Sequence, residues 1–411
     1  MKISIYTKIF VIILLAGMGL YFYQTTAAEE RKVTAVYVEA WQDYRNIKLS
    51  EKGVDIAYIA FAKINGTDIY FHEDPETNAQ IKKNVKKMKE QNKTTKMVLA
   101  VGGYGADGFS DASLDGNRYQ FTESIINMLK ELNLDGVDID WEYPAFHAWN
   151  TQKARPEDTK NFTNLMKELR EKLYKLPHKD NKKYLLTFAS GTQDWYFENV
   201  EVKKVEKYVD FINVMTYDLT GKWSDTTGFN ANLYADSQGK SQHNVDDIIQ
   251  MYLDHGIDSK KLLLGIPAYS YGWDDVKTDT KEEQSSKNSQ KSTQRKSNKG
   301  TTSDHDGQKT ARKNPLFAPG KPIDIDQVDL SYKQIEKDYL NKNGFKRYFD
   351  NKAKAAYLYD GNTFISYEDQ EALKEKVHYI QSKNLGGAMV WQYAQDAEDG
   401  IVTYLTEHLN K

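Results

Sequence analysis

Eight short apolar runs, rich in β-branched residues and each ending in small or polar ones, recur along the chain. They are KVTAVYVEAW (32–41), VDIAYIAFAKI (54–64), KMVLAVGGYG (96–105), LDGVDIDWEYP (134–144), KKYLLTFASG (182–191), VDFINVMTYD (209–218), KLLLGIPAYS (261–270) and LGGAMVWQYAQD (385–396). Near-continuous apolar runs of this length are what strands look like when both faces are buried, as in parallel sheets. Helix-like segments lie between them. NAQIKKNVKKMKEQN (78–92) spaces Ile81, Val85 and Met88 at three to four residues. The segment beginning at Pro156 opens with acids in its first turn, a helix N-terminal signature. HNVDDIIQMYLDHG closes on Gly256, and the segment from Tyr367 closes on a glycine pair, both helix-stop signals. Eight alternating units predict an α/β fold, a (β/α)8 barrel of the TIM type. A doubly wound open sheet is the alternative. The barrel is preferred because acids cluster at the C-terminal end of the fourth strand.

The seventh and eighth runs start 124 residues apart, at Lys261 and Leu385, so an insertion separates them. The expected division is a catalytic barrel over 29–273 and 361–411, with an insertion over 274–360. Within it, 277–310 contains none of the residues AVILMFWYC. Such a segment cannot bury enough surface to offset its ordering entropy and is expected to be disordered. The aromatic-rich 316–360 is expected to fold as a small α+β insertion domain. At the other end, Lys2 and Lys8 precede the uncharged apolar stretch 9–23, and small residues follow. This reads as a signal peptide over 1–28, cleaved after Ala27 or Ala28, and hence a secreted protein. The alternative is a membrane anchor formed by 9–23, a stretch short for a full span. Cleavage would take the net charge from −3 to −5. No basic surplus points to nucleic acid. The absence of cysteine excludes disulfides, thiol catalysis and Cys-ligated zinc. The 28 Tyr, 16 Phe and 7 Trp suit stacking on flat apolar faces such as sugar rings, although most of them pack the core in any fold.

Within LDGVDIDWEYP, acids occupy every second position: Asp138, Asp140 and Glu142. On a strand these share one face, and Val137, Ile139 and Trp141 share the other. In a barrel the apolar face meets the helices, so the acids point inward. Desolvating three ionised carboxylates costs several kcal/mol each, so a chemical role explains the arrangement better than folding does. Crowded carboxylates in low dielectric cannot all ionise near neutrality. Glu142, nearest the mouth, is placed to hand a proton to a ligand. Competing readings are the wet face of an antiparallel strand, solvated turn residues, and a calcium or magnesium site. An EF-hand loop counted from Asp138 would need glycine where Tyr143 stands, so no metal is expected. Acids on one strand face approach a scissile bond from one side only, unlike the paired carboxylates of ordinary glycosidases. A substrate carrying its own nucleophile removes that difficulty.

DGVDIDWE resembles the DGxDxDxE motif of family 18 glycoside hydrolases, the chitinases, and the resemblance extends over 32–406. AVGGY, which contains Gly103, resembles the family's third-strand SxGG, with Ala100 in place of serine. MTYD (215–218), GIPAY and GGAMVW resemble its sixth, seventh and eighth strands. The resemblance implies substrate-assisted, retaining hydrolysis of chitin or N-acetylglucosamine oligosaccharides, with no cofactor, by a monomer. It implies that Glu142 is the acid and base, that Asp140 holds the substrate acetamide, and that Asp138 shares a proton with Asp140. Tyr217 would bond the acetamide, with Met215 and Asp218 shaping the same subsite. Trp391 would floor the sugar site. Tyr37, Phe61, Gly103, Tyr104, Tyr143 and Tyr269 are further substrate-binding candidates. Trp41, Trp149, Trp195, Trp223 and Trp273 are candidate outer subsites. The chain departs from the family pattern at Val38, usually aromatic, and at YSY (269–271), where the family often has YGR. A lectin on the same fold, or an endo-β-N-acetylglucosaminidase acting on glycans or peptidoglycan, is the alternative function.

Overall fold

All eight apolar runs are strands of one closed parallel barrel in the computed structural model, which describes residues 31–42, 47–148, 153–176, 183–241, 243–278 and 314–411. The expected signal peptide, Trp149 and most of the expected disordered segment lie outside the described residues. The barrel strands are β1 (Val33–Glu39), β2 (Ile56–Asn65), β3 (Lys96–Gly102), β4 (Gly136–Asp140), β5 (Leu185–Ser190), β6 (Phe211–Val214), β7 (Leu262–Pro267) and β8 (Gly387–Trp391). Each pairs in parallel with the next, and β8 returns to β1 through Val33↔Gly387 to Val36↔Val390, so no edge is left open. The Ala60–Phe61 and Trp391–Gln392 peptide bonds are cis.

Alternation along the strands separates two cores. Val137, Ile139 and Trp141 of the β4 segment join the outer core, packed with helix residues such as Phe121 and Phe162. Trp141 stacks on Phe109 at 5.2 Å and meets Phe162 edge-on at 5.8 Å. Inside the barrel the core is built from Ala35, Tyr37, Tyr58, Val98, Leu263 and Met389, among others.

The outer helices follow local rules. Helix Pro75–Gln91 starts where Asp74 accepts the Thr77 amide at 2.8 Å and Pro75 sets the first turn, and it buries Ile81, Val85 and Met88. Helix Val245–Asp254 is capped by Asn244 and ends before Gly256 at φ 75°. Helix Gln370–Ser382 ends differently from the expected glycine stop, because Asn384 takes the left-handed position at φ 52°. Asparagine tolerates that conformation because its side chain can bond locally.

Between β7 and β8 lies a five-stranded antiparallel sheet, ordered Lys321–Pro322, Tyr271–Asp274, Phe364–Tyr367, Ala355–Tyr359, Lys346–Asp350. Leu330, Ile335, Phe345, Leu358 and Ile365 fill one face. Trp273, Tyr357 and Phe364 on the other join the barrel-side core. The sheet therefore draws on Tyr271–Asp274 and Phe364–Tyr367, which flank the expected 274–360 insertion. Trp273, expected as a possible outer sugar contact, is fully buried here and donates its indole N–H to the Ser224 carbonyl at 2.7 Å.

The barrel seam depends on close backbone approach at Gly387. A Cβ there would sit 1.9 Å from the Val33 carbonyl oxygen, at φ 152°. Gly387→Ala should cost about 3 kcal/mol or more, read from urea or thermal unfolding, because neither backbone can yield without opening the seam. Gly116→Ala, where the new methyl meets nothing within 4 Å, should stay within roughly 0.5 kcal/mol of the parent.

Candidate active site

The acids climb β4 toward its C-terminal mouth, where catalytic groups of such barrels sit. Asp138 is fully buried at the bottom of the ladder. Three strands supply its hydrogen bonds: Tyr37 Oη of β1 donates to Oδ2 at 2.8 Å, Thr187 Oγ1 of β5 to Oδ1 at 2.5 Å, and Asn213 Nδ2 of β6 to Oδ1 at 3.2 Å. Asn213 Nδ2 also reaches Tyr37 Oη at 3.2 Å, and its Oδ1 accepts from Tyr58 Oη at 3.1 Å. Burial pushes the Asp138 carboxyl up to about 6 in spite of these donors, which pull it down.

Asp140, one rung higher, is 4% exposed. Its Oδ1 is buried without a hydrogen-bond partner. Burial first, then the charges of Glu142 and Asp138, hold its carboxyl well above the usual carboxylate range. Such an orphaned acceptor costs on the order of 1–3 kcal/mol in a finished core, so its retention points to a donor that arrives from outside.

Glu142 lies just past the end of β4 and is half-buried. Desolvation raises its carboxyl to about 7, opposed by a hydrogen bond with Tyr143 and assisted by the charge of Asp218. Tyr143 stacks over Trp195 at 6.3 Å, and Trp195 in turn stacks on Phe146 at 4.1 Å.

Across the mouth, the segment after β6 presents Met215, Tyr217 and Asp218. Met215 is half-buried against the barrel interior. Tyr217 is 9% exposed and feels the charges of Asp140, Asp218, Glu142 and Asp138, in that order. Asp218 holds a left-handed φ of 59°, and its amide donates to Asn230 Oδ1 at 2.8 Å. Its carboxylate accepts from the hydroxyls of Tyr269 and Tyr271, the latter at 3.0 Å. Desolvation nonetheless raises the Asp218 carboxyl, because it outweighs both bonds.

Aromatic rings form the third side. Trp391, half-buried at the end of β8, stacks on Phe61 at 5.5 Å and meets Tyr37 at 5.3 Å. Gly103, at φ 93°, lets Phe61 lie against the backbone, since a Cβ would come within 2.5 Å of that ring. Its amide donates to the Asp140 carbonyl at 3.0 Å. Tyr104 stands at the rim, 85% exposed, as do Trp41 at 54% and Trp223 at 61%. Tyr37 was expected among the sugar contacts. It lies instead beneath them, 2% exposed, with its hydroxyl committed to Asp138.

Sequence reading missed Thr187, Asn213 and Tyr58 around Asp138, and Tyr271 and Asn230 around Asp218. A signal existed for the first group: each is a polar residue on the inward face of an otherwise apolar strand, as Asp138 itself is. Among the described residues no group of three or more His, Asp or Glu side chains is placed to hold a metal ion.

Comparison with known proteins agrees with this geometry. The profile of the glycosyl hydrolases family 18 matches residues 33–396. Chitinase A1 of Niallia circulans is 36% identical over 322 residues, which cover 75% of this chain and 42% of that protein. The chain thus spans well under half the length of that relative. Among solved structures, chitinase ChiW of a Paenibacillus strain superposes with a TM-score of 0.75 at 32% identity, covering 92% of this chain and 43% of that one. A family 18 N-acetylglucosaminidase from Paenibacillus barengoltzii superposes at 0.74 with 29% identity, covering 92% of this chain and all of the other. With the barrel, the acid ladder and the matched profile in place, the chain belongs to the glycosyl hydrolases of family 18.

Proposed function

We propose that the protein is an exported chitinase that cleaves β-1,4 linkages between N-acetylglucosamine units with retention of configuration. The observation that carries this reading is the graded environment of the three acids. Asp138 is fully satisfied, Asp140 has a free buried acceptor, and Glu142 is held near a pKa of 7 at the mouth. A carboxylic acid protonated near neutrality can serve as a general acid.

In the first step the Glu142 proton passes to the glycosidic oxygen as the bond from that oxygen to the anomeric carbon breaks. The carbonyl oxygen of the substrate's own acetamide forms the new bond to the anomeric carbon from the far side. Positive charge then spreads over the oxazolinium ring. Asp140 supports this step by accepting the acetamide N–H with its unpartnered oxygen, which orients the nucleophile. Tyr217 donates its hydroxyl to the acetamide oxygen. In the second step Glu142 takes a proton from water as the water oxygen bonds to the anomeric carbon and the acetamide oxygen leaves. Two inversions give retention. The aromatic floor of Trp391 carries the apolar face of the sugar.

Intact Glu142 argues against a lectin. Similarity to the Paenibacillus N-acetylglucosaminidase makes release of single sugars the competing reading, and the product pattern separates the two. Export follows from the N-terminal sequence, in one of two forms: processed at Ala27 or Ala28, or held at the membrane by a retained 9–23.

Glu142→Gln should lower kcat on chitin oligomers by about a thousandfold or more while leaving oligomer binding within severalfold, measured by product chromatography and calorimetry. Intact binding without any cleavage by the unmutated protein would sink the chitinase reading, and trimming of N-glycans with chitin untouched would move it to the alternative hydrolase.

The alkaline limb of the kcat/KM profile should fall through pH 7, since the acid must be protonated. Asp218→Asn should move that limb to lower pH, because it removes a charge that raises Glu142.

The ladder also carries a stability cost with a definite sign. Asp138 rises from 3.8 to about 6 on folding, so the folded state holds its proton longer than the unfolded chain does. The corresponding stability, about 3 kcal/mol, is present below pH 4 and is lost as pH climbs through 6. Asp140 has the same sign. Asp140→Asn should therefore raise Tm by about 2 °C at pH 8, with the gain vanishing near pH 4 in differential scanning fluorimetry.

A further inference from the structure

We infer that the N-terminal face of the barrel, opposite the catalytic mouth, is a docking surface for an anionic phospholipid bilayer. Charge is divided along the barrel axis. The helix ends and loops that lead into the strands form this face, over residues 31–32, 47–55, 87–96, 130–135, 171–176, 183–184, 203–210, 254–261, 381–386 and 409–411. They hold nineteen Lys and Arg against ten Asp and Glu, whereas all other described residues hold twenty-three against forty. A chain with a net charge of −3 thus presents a strongly cationic face.

Lysines near helix C-termini offset the helix dipole, which accounts for some of them. Others are paired, as Lys89 is with Asp135 and Lys203 with Glu206. Lys175 and Lys207 stand in the last turns of the helices Asp158–Lys175 and Glu206–Tyr208, whereas neither reason covers Lys93 and Lys96. Lys93, Lys96, Lys175 and Lys207 are all exposed where the chain approaches or enters β3, β5 and β6, and they close no described ion pair. Tyr174, 61% exposed beside Lys175, adds an aromatic of the kind that settles at the headgroup level.

The occupant follows from where the chain enters. Arg31 leads into β1 on this same face, shortly after the apolar stretch 9–23. Hydrocarbon suits that stretch, and anionic headgroups suit the surrounding lysines. A barrel seated this way turns its cleft away from the membrane, toward polymer arriving from outside. The inference goes beyond the proposed activity and survives its failure, since it uses none of the residues around Glu142.

The test exploits the cysteine-free sequence. A single fluorophore is placed on the basic face through Gln91→Cys, or on the insertion sheet through Lys352→Cys. The full chain is reconstituted with vesicles of phosphatidylcholine alone or with added phosphatidylglycerol, each carrying a headgroup quencher. The Gln91 label should be quenched only when phosphatidylglycerol is present, and high salt should relieve it. Reversing Lys93, Lys96, Lys175 and Lys207 to Glu should weaken the docking by about tenfold or more, with Tm and oligomer hydrolysis unchanged. Equal quenching on neutral vesicles, quenching of the Lys352 label instead, or indifference to the four reversals would each overturn the inference. So would protection of the Gln91 label by a soluble glycerol-phosphate polymer with no response to the vesicles, which would assign the face to a wall polymer.

Discussion

Donors from β1, β5 and β6 converge on one buried carboxylate, Asp138, and the site depends on that convergence. A carboxylate at the centre of a barrel is expensive to bury, and only hydrogen bonds from several directions make it tolerable. Tyr37, Thr187 and Asn213 supply them from strands far apart in sequence but adjacent in the closed sheet. The barrel must close for these groups to meet, so folding and site assembly are a single event. With Asp138 satisfied, the unsatisfied demand moves up the ladder to Asp140 and Glu142, where a ligand can meet it.

This placement explains why the acids differ although they share one strand face. Exposure rises along the ladder, from none at Asp138 through 4% at Asp140 to half-burial at Glu142, and neighbouring groups sharpen the contrast. Asp140 has carboxylates above and below it and no donor at Oδ1. Glu142 sits at the mouth, where desolvation and, less strongly, the charge of Asp218 raise it. The tyrosine pair 269 and 271 fixes Asp218, so a residue of the seventh-strand region sets the charge seen by the acid on the fourth. At position 271, where the family pattern often has an arginine, a neutral hydroxyl leaves Asp218 without a counter-ion on that side.

Much of the fold was legible because two-sided burial writes an apolar run for every strand, and all eight runs became barrel strands. The inward face of β4 was legible because period-two alternation survives wherever acids interrupt Val, Ile and Trp. Partners of the acids were harder to see. Thr187, Asn213 and Tyr58 are common residues in their strands, and only the register between distant strands gives them a role. Tyr37 was misplaced for a related reason: position at a strand's end does not tell an open ring from one buried under Trp391. Trp273 went wrong because Tyr271–Asp274 pairs with Phe364–Tyr367, a contact between segments ninety residues apart that local pattern does not encode. Asn384 replaced the expected glycine stop because either residue satisfies the same left-handed geometry.

The central claim is that Glu142 keeps a proton near neutrality because of where the fold puts it. Carbon-13 NMR of glutamate-labelled protein, with the Glu142 carboxyl assigned by its loss in Glu142→Gln, measures this directly. The account predicts a titration midpoint near 7 in the free enzyme. A midpoint near 4, the ordinary value for a solvated glutamate, would contradict it.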